Sequence, residues 1–190
     1  MSLVRAIVKD VRRRRFELRY SCRIHRGGEI LPNNRRQRDS ITVGAGTHIR
    51  GQLFTFGHGG RIAMGNHCYV GENSKLWSAL SLTIGDRVLI GHNSSIFDCD
   101  THPMNARERH RQYVEIITRG HPPDIDLREE AVTIEDDVWI GCNVVVLKGV
   151  TIGRGAVIGA GSIVAHDIPP FVLVAGNPAR VVRELSPDER

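Results

Sequence analysis

The chain has 190 residues, enough for one domain with an appendage, and is 5% aromatic with 20 glycines. That mix excludes a helix bundle and favours many short turns around small packed residues. The charge of +5 is uneven, with +8 on residues 1–40 and −3 on the rest, as suits an acidic partner or a solvated basic helix.

Residues 1–40 read as a basic N-terminal cap segment. Leu3, Ile7 and Val11 recur at helical spacing, which predicts a short amphipathic helix with a basic far face. Such a helix is placed to cover the open end of whatever follows. Its basic face is also suited to an anionic membrane surface. With only Phe16 and Tyr20 among the arginines, the segment lacks the interleaved aromatics of a nucleic-acid binder, so no nucleic-acid partner is expected. Cys22, Cys68, Cys99 and Cys142 form no CxxC pair, and no run approaches the ~18 apolar residues of a membrane span, which points to free thiols in the cytoplasm.

From about Ile41 a repeat takes over. Val43 and Ile49 fit it loosely, and GHGG at 57–60 interrupts what reads as a worn first coil. Then Met64, Val70 and Leu76, Ile84, Ile90 and Ile96, and Ile134, Ile140, Val146, Ile152, Ile158 and Val164 stand six apart, most followed by glycine. Six residues fit neither helical periodicity nor a long strand; they fit a short strand plus a corner, with the aliphatic residue pointing inward. A single hexad cannot bury itself, so the units must stack. Between Asp98 and Ala131 the hexads stop, leaving a polar segment rich in arginine and histidine that opens with Thr101-His102-Pro103. A break longer than ~12–15 residues in a compact domain marks a functional or disordered loop. After Pro169-Pro170 the repeat ends, and FVLVAGNPARVVREL reads as a closing strand or loop with a short tail.

The segment TIEDDVWIGCNVVVLKGVTIGRGAVIGAGSIVAHDIPP resembles the hexapeptide-repeat acyltransferases, nearest the galactoside, maltose and nodulation-type sugar O-acetyltransferases and polysaccharide-modifying enzymes. The resemblance spans about 41–183. It implies an all-β solenoid, a left-handed parallel β-helix of about five three-sided coils, with an extruded loop at about 98–131 and a tail at 184–190. It also implies a homotrimer, acetyl-CoA as co-substrate without a metal, and a sugar or glycan acceptor.

His102 matches the family's catalytic histidine. The role suits its chemistry: a hydroxyl does not ionise alone at neutral pH, whereas an imidazole with a reference pKa of about 6.5 can take its proton. The matching oxyanion donor is the backbone amide of Cys142; an acyl-cysteine intermediate is the alternative use of that residue. Along the resemblance, the pantetheine passes Trp139, Gly141, Cys142, Gly159 and Ala160, followed by Ala165 and His166, while Arg180 and Arg183 reach the phosphates. On the acceptor side the pattern departs. Gly71 stands where the family has an asparagine, beside Glu72 and Asn73, and Leu3 stands where it has an N-terminal acid. Asn73, Asp98 and Asp100 are the candidate acceptor contacts, the two aspartates being equally readable as corner residues. Three other readings stay open: an N-acyltransferase on an amino sugar or other amine, a zinc-dependent β-helix of the carbonic anhydrase kind, and a non-catalytic scaffold. The later coils, Thr133 to Ile163, lack the histidines that the zinc reading needs.

Overall fold

A computed structural model describes residues 3–37 and 39–190, the side chains of residues 3–7 excepted. The hexads form a parallel β-solenoid with three faces of eight, six and five strands. The inward positions stack in register from coil to coil. On the first face Ile24, Ile49, Val70, Ile90, Ile140, Ile158 and Val174 form one column. None of these is more than 2% exposed. Burying an aliphatic side chain fully contributes roughly 1.5–3 kcal/mol, so the column is the main cohesive element of the domain.

One corner explains much of the remaining residue pattern. Asn73, Asn93 and Asn143 occupy one position of successive coils with φ of 60°, 57° and 58°, and Gly161 continues the row at 74°. Asparagine and glycine tolerate this left-handed conformation best. The glycines after the inward residue answer to a close approach between coils. A Cβ on Gly91 would meet the backbone of Gly141 and Cys142 at 2.6–2.7 Å, so the residue type is set by how closely the next coil passes.

The solenoid is longer than the expected five coils. Six coils supply a strand to the second face, and Val172–Gly176 starts a seventh. The extra N-terminal coil runs through Arg23–Ile24, Glu29–Pro32 and Ile41–Val43, its first two strands inside the segment 1–40 expected to be the cap. Ile24 and Ile30 are six apart and carry its signal, but residues 33–40 interrupt the pattern before the third strand. At the other end Val172–Gly176 pairs in parallel with Val157–Ile158 and then turns back into the antiparallel strand Ala179–Glu184. The tail continues into a short 3-10 turn at Pro187–Glu189, with Leu185 buried against the domain.

Helix α1, Leu3–Tyr20, has the expected position but uses a different face. Phe16 and Tyr20, one turn apart, pack against the core, whereas Val11 is 47% exposed. Leu3 and Ile7 lie outside the described side chains. Lys9, Arg12, Arg14, Arg15 and Arg19 are exposed; Lys9 pairs with Glu29 at 2.6 Å and Arg19 with Asp39 at 2.8 Å. No described helix is long and apolar enough to cross a membrane.

Candidate active site

The break in the hexads is an arm with its own structure. It leaves the second face after Ser95–Phe97 and returns at Val132–Ile134 on the third. Backbone bonds tie its two legs together at the root, Asp100 N–H to Leu127 O at 3.0 Å and Glu130 N–H to Asp98 O at 2.8 Å. The arm contains a 14-residue helix, α2, Ala106–Arg119, where a loop was expected. Its signals were present in the sequence. The Asn105 side chain caps it by accepting from the amides of Arg107 and Glu108, and Gly120 ends it at φ 94°.

His102 stands at the root of this arm, exposed, after Thr101 in a left-handed turn (φ 61°). Its amide donates to Asp100 O at 2.7 Å. Its ring Nδ1 lies 2.7 Å from Oε1 of Gln112, which is 4% exposed and the buried residue of α2. Sequence reasoning passed over Gln112. Its distance of ten residues from His102 becomes a contact only because α2 folds back over the turn.

Asp98 and Asp100 are both taken up within the chain. Asp98 is 0% exposed; its carboxylate accepts from Ser78 Oγ at 2.6 Å, Ala79 N at 2.7 Å and Leu80 N at 3.0 Å. Burial pushes its pKa up, and these donors oppose that shift. It has no free face for a sugar and serves as the corner residue that was its alternative reading. Asp100 accepts from Arg128 Nε at 2.6 Å and lies 3.3 Å from Lys148 Nζ, so its carboxylate fastens the returning leg of the arm. Asn73 donates to Asn93 Oδ1 at 3.3 Å within the asparagine row.

The other candidate residues lie elsewhere on the coil. Gly141, Cys142, Gly159 and Ala160 are at the corner that leads into the second face, whereas His102 follows that face. Ala165 and His166 lie past the end of Ile163–Val164, on the His102 side. His102 and Cys142 are therefore held at opposite ends of one face and are not brought together within a chain. The Cys142 N–H has no acceptor among the described residues. Trp139 is 56% exposed on the outer side of the first face, directly above Leu89 at 47%. Arg183 is committed to Glu189 by two bonds of 2.7 Å, which hold that carboxyl down to about 2. Arg180 is exposed and donates to a neighbouring carbonyl, Ala179 O, at 3.0 Å.

A cavity of about 620 Å³ opens within the arm, between α2 and the returning leg, lined by Met104, Glu108, Arg111, Gln112 and Arg128 among others. Its size lies within the roughly 300–1,000 Å³ of small-molecule sites. Deeper under the returning leg, Phe54, Phe56, Trp77, Cys99, Ile125 and Leu127 form a second apolar cluster. His58 adjoins it, with Nε2 3.4 Å from Glu129 Oε1. Burial pushes the Cys99 thiol up to about 12, which disfavours the thiolate a metal would need. Among the described residues no three His, Cys, Asp or Glu side chains converge as metal ligands do.

The repeat matches two family models, the bacterial transferase hexapeptide (six repeats) over residues 131–166 and the hexapeptide repeat of succinyl-transferase over 81–96. Galactoside O-acetyltransferase of Escherichia coli (strain K12) is 34% identical over 167 residues, covering 82% of this chain and 72% of that protein. The chain belongs to the hexapeptide-repeat acetyltransferase family. It is an acyltransferase. Nodulation protein L of Rhizobium meliloti (strain 1021) is 38% identical over 139 residues, 73% of this chain and 68% of its own length. Among solved structures, a hexapeptide-repeat acetyltransferase of Vibrio cholerae O1 biovar eltor, complexed with acetyl coenzyme A, aligns over 93% of this chain and 78% of its own. That alignment has a TM-score of 0.53 and 26% identity.

Proposed function

We propose that the protein transfers the acetyl group of acetyl-CoA to a hydroxyl of a sugar or glycan, with His102 as general base. The observation that carries this reading is the placement of an exposed imidazole at the root of an arm, beside a cavity of sugar-binding size. The relatives add weight, since one is named for galactoside O-acetylation and another structure holds acetyl coenzyme A.

In this mechanism the His102 imidazole takes the hydroxyl proton as the oxygen attacks the thioester carbonyl. The oxyanion formed accepts a hydrogen bond from the Cys142 N–H. The intermediate collapses, expelling the CoA sulfur, which takes its proton from the imidazolium. The products are an acetyl ester and CoA with a free thiol. Because one chain holds His102 and Cys142 apart, the reading requires a neighbouring protomer to supply the second group. A closed three-fold assembly does this, and the exposed row of Leu89 and Trp139 is suited to its interface. Acetyl-CoA then lies along Trp139, Gly141, Cys142, Gly159, Ala160, Ala165 and His166.

The test is a release-of-CoA assay with acetyl-CoA against free sugars, nucleotide sugars, oligosaccharides and amino sugars. Turnover with neutral sugar hydroxyls is expected. Turnover confined to amino sugars moves the reading to N-transfer, and none with any member overturns it.

The tail supplies a separate expectation. Arg183 can reach a CoA phosphate only by leaving Glu189. Glu189→Gln therefore tightens acetyl-CoA binding, roughly two- to five-fold given the strength of exposed ion pairs, as calorimetry would read. Unchanged affinity would remove Arg183 from the CoA site.

A further inference from the structure

We infer that Gln112 is a positioning residue that fixes which ring nitrogen of His102 acts as the base. The inference rests on the catalytic reading of His102, but its geometry stands independently. Gln112 comes from α2, and the arm is built so as to deliver it. Asn105 caps the helix, while Arg109 Nη1 bonds the carbonyls of Pro103 and Met104 at 3.2 and 3.0 Å. These contacts clamp the link between the His102 turn and the helix.

The amide can sit in two ways, and its surroundings choose one. The Gln112 nitrogen faces Thr101 O at 3.4 Å, the outer limit of a hydrogen bond, while Oε1 faces His102 Nδ1 at 2.7 Å. Turned over, the amide would put its oxygen against the Thr101 carbonyl oxygen and leave its NH2 directed at the ring. At 4% exposure the amide has little access to solvent that could relieve that mismatch. With Oε1 toward the ring, Gln112 can only accept, so Nδ1 must carry the hydrogen. The lone pair then sits on Nε2, on the far side of the ring from α2. Free histidine prefers the opposite tautomer, with the proton on Nε2 and no base at that position. Gln112 therefore converts the arm's position into a chemical state of His102.

A neutral amide is suited to this task. A carboxylate in its place would hold the same tautomer but would also favour the imidazolium, keeping the base protonated at higher pH. The charged groups around His102 leave that choice to Gln112. Asp100 is taken by Arg128 and Lys148, the Arg109 guanidinium is held on two carbonyls, His121 is a further titratable neighbour, and Glu108, Arg111 and Glu115 of α2 line the cavity beside Gln112.

The test reads the ring directly and needs no acceptor. Ring nitrogen shifts of His102, assigned by difference from His102→Ala, are recorded by two-dimensional 1H–15N NMR across pH for the wild-type protein, Gln112→Leu and Gln112→Glu. The neutral wild-type ring is expected with its proton on Nδ1. Gln112→Leu is expected to move it to the Nε2-protonated form, and Gln112→Glu to raise its titration by about one unit or more. In an acetyl transfer assay Gln112→Leu lowers kcat roughly 10- to 100-fold, the usual cost of losing an orienting partner, with KM for acetyl-CoA unchanged. A wild-type ring protonated on Nε2 overturns the inference even if neither variant folds. So does a tautomer and titration unaltered in both. If His102→Ala abolishes transfer while Gln112→Leu leaves kcat intact, only the positioning role fails; if His102→Ala remains active, the catalytic reading fails instead.

Discussion

His102→Ala lowers kcat for acetyl transfer by about 10²- to 10⁴-fold, the range a positioned general base contributes, and leaves the dissociation constant for acetyl-CoA unchanged. The direction follows from two facts about the site. A sugar hydroxyl attacks a thioester slowly unless its proton leaves as the new bond forms, and the two carboxylates at the root of the arm are already taken up. Asp100 is locked to Arg128 and Lys148, and Asp98 is buried. Residual activity is expected, because holding thioester and hydroxyl in one groove accelerates the reaction even without a base. The measurements are steady-state CoA release with the best acceptor from the panel and calorimetric titration with acetyl-CoA. His102→Asn serves as the companion variant, since it keeps a polar group opposite Gln112 and guards against a change in the arm. Full activity in a folded His102→Ala protein would overturn the mechanism.

The sequence carried the solenoid because every coil repeats one demand. An inward aliphatic residue recurs every six positions, once per face, and stacks on its counterpart one coil away, as Ile84 does on Ile134 and Ile90 on Ile140. Legibility failed where a coil departs from that spacing. The first coil was hidden because residues 33–40 stand between Pro32 and Ile41 and separate Ile24 and Ile30 from the run that follows. The arm was hidden for a different reason. Helix α2 buries little beyond Gln112, so the apolar periodicity that betrays a helix is almost absent, and only the Asn105 cap and Gly120 mark its ends. His102 was found by resemblance and by its place at the break. Gln112 could not be found in either way, since a glutamine ten residues downstream acquires meaning only from the angle at which a helix folds back. Asp98 shows the converse limit. A carboxylate four residues before the candidate base reads as a ligand for sugar hydroxyls, and only its three donors reveal that it belongs to the corner.

That assignment of Asp98 has a large consequence of its own. Asp98→Ala is expected to cost about 3 kcal/mol of stability, because it strands the Ala79 and Leu80 amides, each unsatisfied buried group costing roughly 1–3 kcal/mol, while the Ser78 hydroxyl keeps the Arg61 carbonyl as an acceptor. Relief of the carboxylate's own burial, seen in its raised pKa, offsets part of this. At about 2–4 °C per kcal/mol for a domain of this size, the thermal midpoint falls by roughly 6–12 °C. Asp98→Asn falls between: Oδ1 and Oδ2 both accept in the native protein, so an amide must turn its NH2 toward a donor whichever way it sits. Because Asp98 O also receives the Glu130 amide, the loss centres on the root of the arm. Hydrogen exchange at Ala79, Leu80 and Glu130 is then expected to rise ahead of the rest of the solenoid. An acceptor-binding Asp98 makes the opposite forecast, with an unchanged midpoint and a raised KM for the acceptor alone. The two outcomes separate because a buried carboxylate surrounded by donors serves the fold in the absence of any substrate, whereas a binding residue shows its worth only when one is present.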